Sequence, residues 1–251
     1  MRITGIDIGN SSIKLCGFEG AAIAAAANVG GDINEAARWS DEFGAEGVAF
    51  CSTRNLTAEE RETAARNGWW ELTYESALPI RIEYATPRTL GMDRLAAAMG
   101  AYGEFAGRSF LVADVGTALT LDLVDAEGRF MGGNISPGIM MRLEALHKFT
   151  SRLPLVAPEG SLPLLGYDTD TAIRSGVKRG VINEILGTCC MANREYGCDL
   201  VVLTGGGAKD ITDLLEESLK TLSDAAIKIK VDDNLVEKGL KEAYKYNHEE
   251  N

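Results

Sequence analysis

The sequence predicts an α/β fold built from two related domains. Three observations carry that prediction. Short strand-like runs alternate with helical patterns along the whole chain. The 251 residues suffice for two domains of about 100–150 residues, each with its own core. One pattern also occurs twice, as Gly5-Ile6-Asp7-Ile8-Gly9-Asn10-Ser11-Ser12 and as Val112-Ala113-Asp114-Val115-Gly116-Thr117-Ala118-Leu119. Both copies read as strand, Asp-x-Gly, Asn or Thr, then strand. The repeat distance is far too long for a solenoid. It places a boundary near Gly107-Arg108, giving domains 1–107 and 108–251.

Residues 2–8 read as a strand, Gly9 to Ser12 as a turn, and Ile13 to Phe18 as the second arm of a hairpin. Ala21 to Val29 fits either a third strand or a poor helix. Asp32 to Phe43 has helical apolar spacing with Asp32 as N-cap, and Gly47 to Cys51 reads as a short buried strand. Thr57, with Glu60 three residues on, forms a capping box that opens another helix. Ile80 to Tyr84 alternates like a strand, and Gly91-Met92-Asp93-Arg94 leads into an Ala-rich helix ending near Phe105. Phe110 to Val115 and Thr117 to Val124 form the second hairpin. Gly132-Gly133 and Pro137-Gly138 punctuate the chain before a helix from Ile139 to His147. Thr169 to Tyr196 reads as a long helix with breaks allowed at Gly176 or Gly180. Leu200 to Leu203 is a strand ending at Thr204-Gly205-Gly206-Gly207. Helix 211–222, strand 226–231 and helix 235–246 follow, and the tail 247–251 is expected to fray.

Composition narrows the function classes. With 25 Lys and Arg against 37 Asp and Glu, the net charge is −12, which argues against nucleic acid as a partner. The longest apolar run, Ala21 to Ala27, is far short of a membrane span, and no signal-peptide pattern is read at the start, so no membrane partner is expected. Five cysteines (Cys16, Cys51, Cys189, Cys190, Cys198) include no C-x-x-C pair, and His147 and His248 are the only histidines. A zinc site or disulfide framework is not expected, and a cytoplasmic location is.

Asp next to a Gly turn is a chemically useful pair. Glycine lets backbone N–H groups approach a phosphate, and a carboxylate beside them can hold Mg²⁺. Lys14 adds positive charge just after the first turn. The plainer reading is an Asp that only caps a hairpin. No P-loop, dinucleotide fingerprint or G-x-S-x-G elbow is present. Asp93 and Arg94 stand together at a helix start, where the dipole would keep Asp93 ionised. They suit a base for a hydroxyl and a charge for an anionic group, or merely an N-terminal Asp beside a solvated Arg.

Taken together, these motifs resemble those of type III pantothenate kinases, members of the acetate and sugar kinase, heat-shock protein and actin superfamily. Asp7 to Lys14 resembles the first phosphate motif of that family, Gly91 to Arg94 its G-x-D-R, and Asp114 to Ala118 its second phosphate motif. Gly132 to Gly138 and Thr204 to Gly206 resemble later motifs, and Tyr84 and Thr169 match substrate-contacting positions. The resemblance implies two duplicated ribonuclease H-like (actin-like ATPase) domains with mixed five-stranded sheets flanked by helices. It implies transfer of the γ-phosphoryl of ATP to pantothenate, the first step of coenzyme A synthesis, with Asp93 as general base. Asp7, Ile8, Gly9, Asn10, Ser11, Ser12, Ile13 and Lys14 would hold ATP, with Asp7 near Mg²⁺, and Thr117 would also contact it. Asp114 would bind K⁺ or NH₄⁺. Tyr84, Gly91, Met92, Asp93, Arg94 and Thr169 would form the pantothenate pocket of a homodimer. Leu119 stands where many relatives carry Thr, and Asp168 where Asn is common. The rival readings are a kinase for another small alcohol and a nucleotide-binding regulator without turnover.

Overall fold

The computed structural model describes residues 1–10, 12–222 and 226–248. They form two compact units. The first comprises Met1–Gly107, Ala126–Met131 and Asn234–Asn251; the second comprises Arg108–Asp125 and Gly132–Asp233. The chain first passes between units at Gly107, where the sequence sets its boundary. The sequence reading of 108–251 as one block does not anticipate the two later segments that group with the first unit.

In the first unit, β1 (Arg2–Ile8), β2 (Ile13–Glu19), β3 (Ala22–Val29), β4 (Gly47–Ser52) and β5 (Trp70–Glu71) form one sheet in the order β3-β2-β1-β4-β5. β1 runs antiparallel to β2 and parallel to β4. Side chains alternate across a strand, so Ile6 and Ile8 share one face with their partners Leu15, Ile13 and Phe50. That face forms a core with Ile33 and Ala36 of α1 (Ile33–Phe43). Gly5 and Asp7 lie on the other face. A Cβ on Gly5 would come 2.6 Å from the Glu237 carbonyl oxygen, so α7 (Leu235–His248) rests directly on β1 there. α3 (Met92–Phe105) packs against α7, and a Cβ on Gly239 would overlap the Ala96 carbonyl oxygen. α2 (Ala58–Arg66) begins with the capping box of Thr57 and Glu60.

In the second unit, β7 (Phe110–Val115), β8 (Ala118–Val124), β9 (Arg129–Pro137), β10 (Leu200–Thr204) and β11 (Lys228–Val231) take the order β11-β10-β7-β8-β9. β1 to β5 and β7 to β11 therefore follow one topology, and the two Asp-x-Gly turns occupy the same place in it. The expected five strands become six in this sheet, because β6 (Arg81–Ile82) pairs parallel with Arg129 and Phe130, the start of β9, and these four residues group with the first unit. α4 (Ile139–Lys148), α5 (Thr169–Tyr196) and α6 (Ala208–Leu222) complete the unit.

Several elements differ from the sequence reading. Ala22–Val29 is a strand, resolving the ambiguity through its pairing with β2. The strand expected over 80–84 shrinks to two residues. β9 runs through the stretch that the sequence reading marks only as punctuated by Gly132-Gly133 and Pro137-Gly138. Only glycine fits at position 133, because a Cβ there would overlap the Leu121 carbonyl oxygen of β8, so Gly133 marks strand contact here. α5 runs 28 residues without a break, since Gly176 meets open space and creates no kink. Asn247 and His248 belong to α7, where Asn247 Nδ2 donates to the Ala77 carbonyl at 2.8 Å; residues 249–251 lie outside the described set.

Candidate active site

Asp7 sits at the penultimate position of β1, between two registered neighbours. Lys14 of β2 and Cys51 of β4 are its cross-strand partners, so all three side chains point to the α3 and α7 face. The Cys51 thiol donates to Asp7 Oδ1 at 3.8 Å. Burial, and then the like charge of Asp93, push the Asp7 carboxyl up to about 6, against the opposing pull of Lys14 and the thiol. Burial among acids holds the Cys51 thiol well above its ordinary range, so it stays protonated and remains a donor.

The turn after Asp7 is tightly braced. Gly9 N–H donates to the Ser12 carbonyl at 3.0 Å, and Thr53 N–H donates to the Ile8 carbonyl at 3.0 Å. Arg54 Nε donates to the Gly9 carbonyl at 3.3 Å. Ile8 and Ile13 are fully buried, so only their backbone can meet a ligand, whereas Asn10 is exposed. Ser12 is half-buried, and Ser11 lies outside the described residues.

Gly91 caps α3, and a Cβ there would come 2.5 Å from Asp93 Oδ1, so the carboxylate folds back over a position that only glycine leaves open. The sequence reading has the helix dipole keeping Asp93 ionised. Instead burial raises its pKa, outweighing the Arg94 and Asp93 backbone N–H groups and the Arg94 charge. Arg94 is not solvated either. It is buried, with its guanidinium 5.7 Å from the centroid of the Tyr84 ring, and Tyr84 in turn meets the Phe130 ring edge-on. Met92 is half-buried. Asp7, Lys14, Tyr84, Gly91, Met92, Asp93 and Arg94 thus all belong to the first unit, and Asp7 and Asp93 interact.

In the second unit, Asp114 sits at the penultimate position of β7 between its partners Thr120 and Thr204. Two glycine stretches clasp the turn after it. Gly138 N–H donates to the Thr117 carbonyl at 3.0 Å, and Gly207 N–H donates to the Val115 carbonyl at 2.9 Å. Gly205 has φ +87°, and a Cβ on it would overlap Asp114 Oδ1. The glycines of Pro137-Gly138 and Thr204 to Gly207 are therefore part of the second turn's own wall. Thr117 is exposed on it, and Leu119 is fully buried in the core. Thr169 opens α5, is exposed, and lines a cavity of about 1000 Å³ with Met141, Phe149 and Ile173. Asp168, left without a role by the sequence, is the N-cap of α5: its Oδ1 accepts from Thr171 N–H at 2.8 Å and from Thr171 Oγ1 at 2.6 Å. Sequence reasoning missed Cys51 and Arg54. Cys51 carries no local motif, whereas the chance pairing of Arg54 with a capping-box Glu six residues on was a readable signal.

Comparisons with known proteins agree with this geometry. The family described as type III pantothenate kinase matches residues 4–190. A type III pantothenate kinase of Azobacteroides pseudotrichonymphae is 39% identical over 247 residues, spanning 96% of this chain and 95% of that protein. One of Bacteroides fragilis is 46% identical over 177 residues, spanning 70% of this chain and 69% of its own length. Among solved structures, component A of (R)-2-hydroxyglutaryl-CoA dehydratase from Acidaminococcus fermentans superposes with a TM-score of 0.58 at 17% identity, covering 100% of this chain and 98% of that one. A ROK family glucokinase from Streptomyces griseus, solved with glucose and AMPPNP, gives 0.56 at 13% identity, covering 99% and 100%. The fold is that of the actin-like ATPases and sugar kinases. With its motifs in order and both turns in matching places, the chain belongs to the type III pantothenate kinase family.

Proposed function

We propose that this chain transfers the γ-phosphoryl group of ATP to the primary hydroxyl of pantothenate, giving 4′-phosphopantothenate, the first step of coenzyme A synthesis. The observation that carries the reading is that Asp7 stands on the face of the first sheet against which α3, the helix that carries Asp93 in its first turn, is packed, within a chain of this family. Asp93 is the general base. A raised pKa makes its carboxylate a better proton acceptor for the attacking hydroxyl, and its helix-start position fixes where the proton goes. Arg94, held over Tyr84, supplies positive charge for an anionic acceptor. Gly91, Met92, Tyr84 and Thr169 complete the pantothenate contacts.

The backbone of Ile8 to Ile13, with Lys14 and Thr117, holds the ATP phosphates. Among the described residues no group of three or more acidic, His or Cys side chains gathers as a metal cage. A divalent ion at Asp7 would therefore rely on phosphate oxygens and water for its remaining ligands, which suits Mg²⁺. The repulsion between Asp7 and Asp93 fits a cation there. Bound Mg²⁺ supplies charge neutralisation of the phosphates. Asp114 takes K⁺ or NH₄⁺. The two units correspond to two actin-like domains, the first joined by the later segments 126–131 and 234–251, the working form is a homodimer, and the location is cytoplasmic. Two observations fit that location: no cysteine is in a disulfide, and among the described residues no helix is long and apolar enough to cross a membrane.

The test is ATP consumption with and without pantothenate, each in K⁺ and in Na⁺, alongside a panel of other alcohols. Pantothenate-dependent turnover is expected. Turnover with a sugar but not with pantothenate, or nucleotide binding with no turnover on any alcohol, overturns the assignment.

A further inference from the structure

The two carbonyls that open the first turn are both taken up by the segment that follows β4. Ile8 C=O accepts from Thr53 N–H at 3.0 Å, and Gly9 C=O accepts from Arg54 Nε at 3.3 Å. The guanidinium makes two further hydrogen bonds, both to Glu60. Its Nη1 donates to Glu60 Oε2 at 2.9 Å and its Nη2 to Glu60 Oε1 at 2.6 Å, a planar bidentate pair with both side chains largely shielded from solvent. Glu60 is itself anchored. Its Oε2 accepts from Thr57 N–H at 2.8 Å as the third residue of the capping box of α2. Ser52 Oγ donates to the Arg54 carbonyl at 2.8 Å, fixing the backbone from which the arginine projects.

One peptide plane is held by this chain of contacts. A trans peptide directs its C=O and its N–H to opposite sides. With Gly9 C=O turned to Arg54, the N–H of Asn10 is turned to the other side of the turn. Glycine places little steric resistance on rotation of that plane, because it tolerates ψ values that a Cβ would forbid. The orientation of the Asn10 donor therefore depends on what holds the Gly9 oxygen.

We infer that Arg54, locked by Glu60, is a positioning residue for nucleotide binding: it fixes the Gly9–Asn10 peptide so that the Asn10 N–H is aimed at a phosphate before the nucleotide arrives. Lys14 attracts the phosphate as a charge, and Arg54 keeps a backbone donor pointed at it without touching it. Pre-aiming raises affinity because the bound ligand does not have to supply the energy of turning the peptide. The inference rests on the assignment of the turn at Gly9 to the ATP phosphates.

Three variants test it. Glu60→Gln keeps the capping interaction, since Gln serves at that position, but breaks the charged pair. Arg54→Lys keeps the charge and loses the planar fork. Arg54→Ala removes both. The readouts are ATP and ADP affinity by calorimetry, KM for ATP, KM for pantothenate, kcat and Tm. Expected is a loss of nucleotide affinity of about 10- to 100-fold in Arg54→Ala, the span of a hydrogen bond made by a charged group. Smaller losses follow in Arg54→Lys and Glu60→Gln, with Tm of Glu60→Gln and KM for pantothenate close to the parent. If Arg54→Ala does not fold, the other two decide. Parent-like ATP affinity in folded Arg54→Lys and Glu60→Gln overturns the inference, as does equal weakening of ATP and pantothenate. Direct calorimetry on the parent separates the two levels. A parent that binds ATP but does not phosphorylate pantothenate removes the assigned reaction and leaves the brace to be judged by binding. A parent that binds no ATP removes both.

Discussion

The Sγ of Cys51 lies 3.8 Å from Oδ1 of Asp7, its registered neighbour on the parallel strand β4. The thiol is held protonated by burial, so it acts as a fixed donor, while Lys14 faces the same carboxyl from β2. The Asp7 carboxyl is nevertheless pushed up to about 6, because burial and Asp93 outweigh both.

That titration predicts a pH dependence of nucleotide binding. The ionised carboxylate is the form that favours a divalent cation. Affinity for ATP with Mg²⁺ is expected to weaken as pH falls below about 6, measured by calorimetry across a pH series. Asp93→Asn removes the like charge, so its midpoint moves to lower pH. A midpoint that stays where it was would show that the two carboxylates do not interact.

The same shift has a consequence for the stability of the ligand-free protein. The folded-state value of about 6 exceeds the ordinary 3.8, so the native state holds an extra proton between those values. Stability from this group is therefore lost as pH rises from 3.8 to about 6. Asp7→Asn escapes the loss. Above that window the variant is expected to be the more stable protein by roughly 1–3 kcal/mol in urea denaturation, and the two converge at its lower end.

Asp93→Asn is expected to cut kcat by roughly 10²- to 10⁴-fold, the contribution of a general base, while ATP binding is retained. Steady-state kinetics paired with calorimetry checks both halves. Near-full turnover would remove Asp93 from the mechanism.

Two Gly→Ala changes should have opposite effects. Gly239 of α7 meets the backbone of α3, and its Cβ would overlap the Ala96 carbonyl oxygen, so Gly239→Ala is expected to destabilise by at least about 2 kcal/mol. Gly187 of α5 meets nothing, so Gly187→Ala is expected to stabilise by about 0.5–1 kcal/mol through helix propensity. Thermal melts of the two variants decide the point.

Gly205→Ala combines a left-handed φ of +87° with overlap on Asp114 Oδ1. It is expected to lower stability by roughly 1–3 kcal/mol and, on the proposed reading of Asp114 as a monovalent-cation site, to blunt activation by K⁺, while Gly206→Ala, which meets open space, leaves that activation intact. Activity titrated with KCl against NaCl reads this directly.

Much of this molecule is written in local chemistry. The alternation of Ile6, Ile8, Ile13 and Leu15 defines the buried face of the first hairpin, so by elimination it also defines the face on which Asp7 stands. The caps at Asp32 and Thr57 and the helix opening at Gly91 depend on hydrogen bonds within a few residues, and the sequence alone placed them. Two Asp-x-Gly turns marked the repeat of topology that the sheets display. Long-range contact decided the rest, because its energies come from residues that the chain brings together only on folding. Gly133 in β9 looked like punctuation, since what excludes a side chain there is the backbone of β8. The return of α7 to the first unit depends on Gly100 and Gly239 fitting between helices distant in sequence. The helix start by itself favours a low pKa for Asp93, but burial outweighs its backbone N–H groups and the Arg94 charge and raises it. Local hydrogen bonding and periodicity thus named the elements and the chemical residues. Burial, which no short window of sequence contains, set their pKa values and their partners.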